Sequence, residues 1–297
     1  MNKNNIFSQI FDNEGAIFMS AQRSYKDCYV GLFGVPYDGT TSFRPGSRFG
    51  PSSIKEISTS IESYCPILDR DLEEINFVDF GSLKIPYGDP QPIIQSVEKV
   101  SNILISNNIK PLMLGGEHSI TTGAIRTLSK IYSNLILIQL DAHADLRNEW
   151  LGSKYNHACT MRRCLEIIPS SNVLQIGIRS GTRDEFKELH NSNRFVELKA
   201  GEISDSLEKR LEPFLGLPIY LTIDLDWFDP SVMPGTGTPE PGGFYWNDFA
   251  DITYILKKHH LIGADIVELA PQLDSSGISN VLAAKVTRSM IMLLEGK

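Results

Sequence analysis

The sequence predicts an α/β fold, with eight strands in a mostly parallel sheet and helices on both of its faces. Two observations carry this. Short β-rich runs recur along the chain with helical patterning between them. Several of those runs are apolar throughout and lack the polar alternation of a half-exposed strand, as expected when helices cover both faces. The 297 residues can bury a sizeable core. No internal repeat, charge run or low-complexity linker divides them, so one domain over residues 1–297 is expected.

The elements follow in order. Residues 1–25 are polar and read as an N-terminal arm or edge element. Strands are expected at 29–35, 75–80, 111–114, 135–140, 173–178, 194–198, 219–223 and 262–267. Between them, Ile93, Ile94, Val97, Val100 and Leu104 fall at helical spacing, and Phe249, Ile252, Ile255 and Leu256 do so less regularly. Two Gly/Pro-rich loops stand out: residues 36–51, containing TTSFRPGSRFGP, and residues 234–243, PGTGTPEPGG. Neither has the lysine or the glycine spacing of a phosphate loop. Each follows the C-terminal end of a strand, which is the ligand rim of an open parallel sheet.

Charge and cysteine usage narrow the class. The chain carries 28 Lys+Arg against 36 Asp+Glu. That acidic balance, without a basic cluster, argues against nucleic acid as a partner. No signal peptide is readable, and the longest aliphatic stretches are far too short to cross a bilayer. Cys28, Cys65, Cys159 and Cys164 form no C-x-x-C pair and read as free buried thiols of a reducing compartment. A cytoplasmic protein without membrane contact is expected.

The chemistry lies in what ends the strands. PLML runs into Gly115-Gly116-Glu117-His118-Ser119, LILIQL into Asp141-Ala142-His143-Ala144-Asp145, IYLTI into Asp224-Leu225-Asp226, and GADIV into Glu268. In a parallel sheet these ends are neighbours in space. In an extended segment, residues i, i+2 and i+4 point to one side, so Asp141, His143 and Asp145 can converge, as can Asp224 and Asp226. Together with His118 this makes four carboxylates and two imidazoles. Left empty, such a cluster repels itself and its carboxyl pKa values rise. Six ligands with bridging carboxylates suit two cations about 3.5–4 Å apart. Oxygen and imidazole donors without thiolate favour Mn²⁺ or a similarly hard ion. The ions would offset half of the formal charge of −8. Each motif alone is weak, but their joint occurrence in this order is highly specific. His190, His259 and His260 sit in polar context and read as surface residues.

At these motifs the chain resembles the ureohydrolases, the family of arginase and agmatinase, over almost its whole length. It is most similar to the agmatinase branch, in DAHADLR, NHACTMRR, GIRSG and PGTGTPEPGG. The resemblance implies a three-layer α/β/α fold with an eight-stranded parallel sheet, a dinuclear Mn²⁺ centre, and assembly as a homotrimer or homohexamer. Carried onto this sequence, it places His118 and Asp145 on one metal and His143 and Asp226 on the other, with Asp141 and Asp224 bridging. It makes His157 a mobile proton shuttle or substrate contact, and Glu268 the carboxylate that accepts the substrate's guanidinium. Asp265 reads either as support for that strand end or as a structural acid. The implied reaction is hydrolysis of a small cationic guanidino compound to urea and an amine. Water activated by the metals is the nucleophile, and Asp145 carries the proton to the leaving amine.

Substrate identity is less legible. Arg147 stands where arginases carry an Asn that recognises the amino-acid end of arginine, and Thr182 stands near the position of their aspartate. L-Arginine is therefore disfavoured, and agmatine is expected. Guanidinobutyrate, guanidinopropionate and free guanidine stay open. Asn148-Glu149-Trp150 and Trp227 depart from the common pattern. If either tryptophan faces the pocket, a shorter substrate such as guanidine gains ground, and with it Ni²⁺. Two other classes also remain: a metal-binding homologue without turnover, and a deacetylase-like hydrolase with a single Zn²⁺.

Overall fold

The computed structural model describes residues 9–12, 15–22, 26–86 and 88–296. Its strands are β1 (Phe11–Asp12), β2 (Val30–Val35), β3 (Tyr64–Cys65), β4 (Arg70–Asp71), β5 (Phe77–Leu83), β6 (Lys110–Gly115), β7 (Ile136–Leu140), β8 (Val173–Ile176), β9 (Phe195–Val196), β10 (Pro218–Asp224) and β11 (His260–Val267). Nine of them form one sheet in the order β1-β5-β2-β6-β11-β10-β7-β8-β9. All eight anticipated strands are present and parallel to one another. The ninth, β1, adds an antiparallel edge, Phe11 facing Leu83. The expected count of eight is thus corrected to nine. Two residues give no periodic signal, so β1 could be read only as an edge element. The rest of the expected N-terminal arm, at residues 1–8, 13–14 and 23–25, lies outside the described residues. β3 and β4 form a separate antiparallel pair.

The strands sort their side chains by alternation. Val30, Leu32, Leu112, Leu114, Ile136, Ile138 and Leu140 enter one core, with Ile54, Leu207, Phe249, Ile252 and Val286. Phe33, Val35, Met113, Leu135 and Leu137 enter the other, with Ile93, Val97, Leu104, Ile125, Leu128 and Leu189. Helices Gly50–Ser58, Ser204–Leu211, Trp246–Leu256 and Ile278–Glu295 therefore cover one face. Helices Pro90–Ile105, Thr121–Ile131, Thr160–Leu165 and Arg183–His190 cover the other. Three layers result, and the purely apolar strands are explained, since neither face of the sheet meets water.

β6, β11, β10 and β7 are consecutive in the sheet, so the motifs at their C-terminal ends meet at one point of the rim. One glycine there is obligatory. A Cβ on Gly116 would lie 1.8 Å from the carbonyl oxygen of Tyr37 and 2.7 Å from its nitrogen. That backbone is fixed, because Glu117 N–H donates to Tyr37 O and Gly116 N–H to Val35 O. Gly116→Ala should cost about 1–3 kcal/mol, the usual range for overpacking, read as a lower urea midpoint. A wild-type midpoint would show that the loop yields freely.

Candidate metal centre

The six anticipated ligands come together, in two groups that share a residue. His118, Asp141 and Asp224 can hold one ion, and Asp141, His143 and Asp226 another. Asp145 joins the first, its Oδ2 lying 3.2 Å from His118 Nδ1. Asp141 is common to both groups, as a bridging ligand must be, whereas Asp224 falls in the His118 group alone. Asp141, His143 and Asp145 thus diverge to two adjacent points instead of converging on one. Asp145 reaches its place through a left-handed backbone, φ 53°, a conformation uncommon for a side-chain-bearing residue and typical of functional sites. Glu268 has the same feature, φ 68°. Its carboxylate accepts the backbone N–H of His118 at 2.8 Å.

Whether these residues fit a cation is decided at His118. Its Nε2 lies 2.8 Å from Thr222 Oγ1, and the Thr222 hydroxyl donates its own proton to Asp265. Nε2 must therefore carry the ring hydrogen, and Nδ1 presents a lone pair. That buried atom has no hydrogen-bond partner. It faces Asp141 Oδ2 at 3.1 Å, Asp145 Oδ2 at 3.2 Å and Asp224 Oδ2 at 3.4 Å. Four electron pairs around one point call for a positive centre, a proton or a metal ion. The second group repeats the pattern, with His143 Nδ1 at 2.8 Å from Asp226 Oδ2 and 3.7 Å from Asp141 Oδ1.

Without metal, protons do this work. Burial pushes Asp141 up to about 7, with the charges of Asp226 and Asp145 acting the same way. Burial likewise lifts Asp224 well above the carboxylate range, beside Asp226 and Asp141. Desolvation opposes charge on His143, yet Asp226 raises it to about 11. Desolvation also opposes charge on His118, but the three carboxylates around its Nδ1 raise it well above the usual histidine value. Asp226 is also penalised by burial, but His143 draws it down to about 2.

The support around the centre was only partly legible. Asp265, fully buried, accepts hydrogen bonds from Thr121, Thr222 and Tyr220, so it orients His118 through Thr222. Gln139 donates to Asp141 at 2.6 Å and accepts from Gln175, which accepts from Arg194, which pairs with Glu188. This chain runs from the shared ligand toward the surface, and sequence reasoning missed it. The available signal was a glutamine inside each of two apolar strands. Arg179 donates to the carbonyls of Asp226 and Glu240 at 2.7 and 2.8 Å, tying the PGTGTPEPGG loop to the ligand turn. Arg44 does the same from the other rim loop, donating to Thr236 O and Gly237 O.

A cavity of about 260 Å³ opens over the ligands. His157 and Glu268 line it together with Ser42, Arg147 and Trp150, so every anticipated catalytic residue faces one space. Trp150 lies under the Arg147 guanidinium, 3.9 Å from ring centroid to Cζ. Trp227 does not face the cavity. It is fully buried, stacked on Phe244 at 4.4 Å, and seated where only Gly177 leaves room, since a Cβ there would lie 2.4 Å from its ring. Thr182 caps helix Arg183–His190 in a capping box with Glu185, which gives it a local structural role. The four cysteines are free and buried. His190 and His260 are exposed and His259 is half-buried. Among the described residues no helix is long and apolar enough to cross a membrane.

Known proteins are similar to this chain along most of its length. The chain is 36% identical over 280 residues to the agmatinase of Halalkalibacterium halodurans, covering 94% of this chain and 96% of that one. It is 33% identical over 276 residues to the guanidinobutyrase of Pseudomonas aeruginosa, covering 89% and 85%. The solved agmatine ureohydrolase of Thermoplasma volcanium superposes with a TM-score of 0.82 at 32% identity, covering 98% of this chain and 97% of that chain. The sequence model of the arginase family matches residues 28–293. A match of that span, with relatives this similar along nearly their whole length, establishes that the chain belongs to the arginase family.

Proposed function

We propose that the protein hydrolyses agmatine to putrescine and urea at a dinuclear Mn²⁺ centre, a step that supplies a polyamine precursor. One observation carries the reading. Two ligand groups sharing Asp141 lie beneath a cavity that Glu268 and His157 also line. His118, Asp141, Asp145 and Asp224 would hold one ion, and Asp141, His143 and Asp226 the other. When bound, the ions supply a water that is deprotonated near neutral pH.

The chain's own residues do the rest. Glu268, pinned by the His118 N–H, accepts N–H donors of the guanidinium, whose planar fork matches a carboxylate. Burial, with the charge of Glu117 acting the same way, pushes Glu268 up to about 8, and a guanidinium beside it restores the ionised form. Asp145 takes the proton of the attacking water and passes it to the leaving amine. His157, at the cavity wall, exchanges protons with the amine or with solvent.

A carboxylate-tailed substrate such as guanidinobutyrate is the second reading. Arg147 favours it, because it brings a guanidinium to the cavity wall. Trp227 is buried, but Trp150 lines the cavity, so free guanidine, and with it Ni²⁺, stays a further reading. A cytoplasmic homotrimer or homohexamer is proposed on the family resemblance. The test is a panel of agmatine, guanidinobutyrate, guanidinopropionate, arginine and guanidine, run with Mn²⁺ and with Ni²⁺ while urea is measured. Agmatine with Mn²⁺ should give the highest kcat/KM. Urea from none of the five, with two bound ions verified, would refute the hydrolase.

A further inference from the structure

The glutamate of the G-G-E-H-S segment has no part in the reading above, yet it is among the most heavily bonded side chains near the site. Glu117 is 0% exposed. One carboxylate oxygen accepts the backbone N–H of Thr40 at 2.6 Å. The other accepts the hydroxyls of Thr40 and Ser119. Thr40 belongs to the first Gly/Pro-rich rim loop, 77 positions away. On its other side Thr40 Oγ1 accepts the backbone N–H of His157 at 3.2 Å and lies 3.4 Å from His157 Nδ1. Ser42 Oγ lies 3.2 Å from His157 Nε2. Asn156, which caps the turn beginning at His157, donates to the Thr40 carbonyl.

The donor count fixes the direction of this chain. A threonine hydroxyl has one hydrogen, and that of Thr40 goes to Glu117. Toward His157 it offers only lone pairs, so its contact with Nδ1 is attractive only when Nδ1 carries the proton. Nε2 is then left with a lone pair, the form a proton acceptor needs, and Ser42 can donate to it. A carboxylate orienting an imidazole in this way normally bonds it directly. Here a threonine stands between them, and the same threonine holds the rim loop against the site.

We propose that Glu117, acting through Thr40, is a positioning element that sets the orientation and tautomer of His157. The inference rests on His157 serving the proposed hydrolysis. Neither Glu117 nor Thr40 is among the residues lining the cavity, so both are assigned a positioning role and not a catalytic one.

The test is a double-mutant cycle in the Mn²⁺-loaded enzyme, with agmatine as substrate and bound metal measured in each variant. Thr40→Val should lower kcat by about 10–100-fold, the usual cost of losing an outer-shell partner, with little change in KM and two ions retained. Thr40→Ser, which keeps the hydroxyl, should restore most of the rate. His157→Ala should lower kcat by about 10²–10⁴-fold, and adding Thr40→Val to it should cost nothing further, because residues acting as a unit are non-additive. Should Thr40→Val fail to fold, Thr40→Ala makes the same comparison. A wild-type kcat in the hydroxyl-lacking variant would overturn the proposal. So would an equal further loss on the His157→Ala background, or loss of metal, which would mean that Thr40 acts through the neighbouring His118. Full activity of His157→Ala would refute the role of His157 itself, and the positioning device with it.

Discussion

Asp145→Asn is expected to abolish urea production while leaving at least one metal bound. The expectation follows from the chemistry of the side chain and from its location. Asn keeps the shape of Asp and tolerates the left-handed backbone at this position, so the fold should survive. It cannot accept a proton at neutral pH, and a positioned acid–base group is worth about 10²–10⁴ in rate. The group formed by Asp141, His143 and Asp226 does not include Asp145, so that ion should remain. Steady-state urea release together with metal analysis decides the matter. A near-normal kcat would remove Asp145 as the proton carrier, and complete loss of metal would recast it as mainly a ligand.

Stripping the metals should abolish turnover, and it should destabilise the protein more at high pH than at low pH. In the metal-free site Asp141 sits at about 7, above its ordinary value of 3.8. The folded chain therefore holds a proton there that the unfolded chain has released, and this contribution to stability falls as pH rises from about 4 to about 7. His143 is raised from 6.5 to about 11. Its contribution is complete below 6.5 and is lost as pH climbs toward 11. Asp226, drawn down to about 2, contributes only above about pH 4 and loses that contribution as acid protonates it near 2.

Metal binding has the opposite dependence. The ions displace these protons, so their affinity rises with pH. Each ion adds about 2.7 kcal/mol when its free concentration is 100 times its Kd. The Tm difference between Mn²⁺-loaded and stripped protein should therefore widen from pH 5 through 6.5 to 8. A pH-independent difference, or full activity in the chelated protein, would contradict this site.

Much of the sheet and all six candidate ligands were legible because their signals are local. A strand buried on both faces must be apolar along its length, and a polar ligand set at its end interrupts that run abruptly. LILIQL followed by DAHAD shows both signals within 11 residues. The edge strand Phe11–Asp12 was not individually legible, because two residues carry no period. Gln139 and Gln175 were visible as letters, but their meaning depends on β7 and β8 being paired so that the two amides meet.

The same distinction separates the two tryptophans. Nothing around Trp150 or Trp227 in the sequence says which is buried. The packing decides: Gly177 and Phe244 make a slot for one, and the cavity wall takes the other.

By itself, then, the sequence determined the α/β architecture, the candidate ligand set, the family and the general class of chemistry. Strand burial and the spacing of ligands at strand ends act over a few neighbouring residues, so one chain can express them in order. Only the tertiary structure decided how Asp141 is shared between two groups, which tryptophan faces the cavity, and that Glu117 reaches His157 through Thr40. Those relations join residues 77 and 117 positions apart. Their energies come from distance and hydrogen-bond direction in space, which exist only once the sheet has brought the strand ends together.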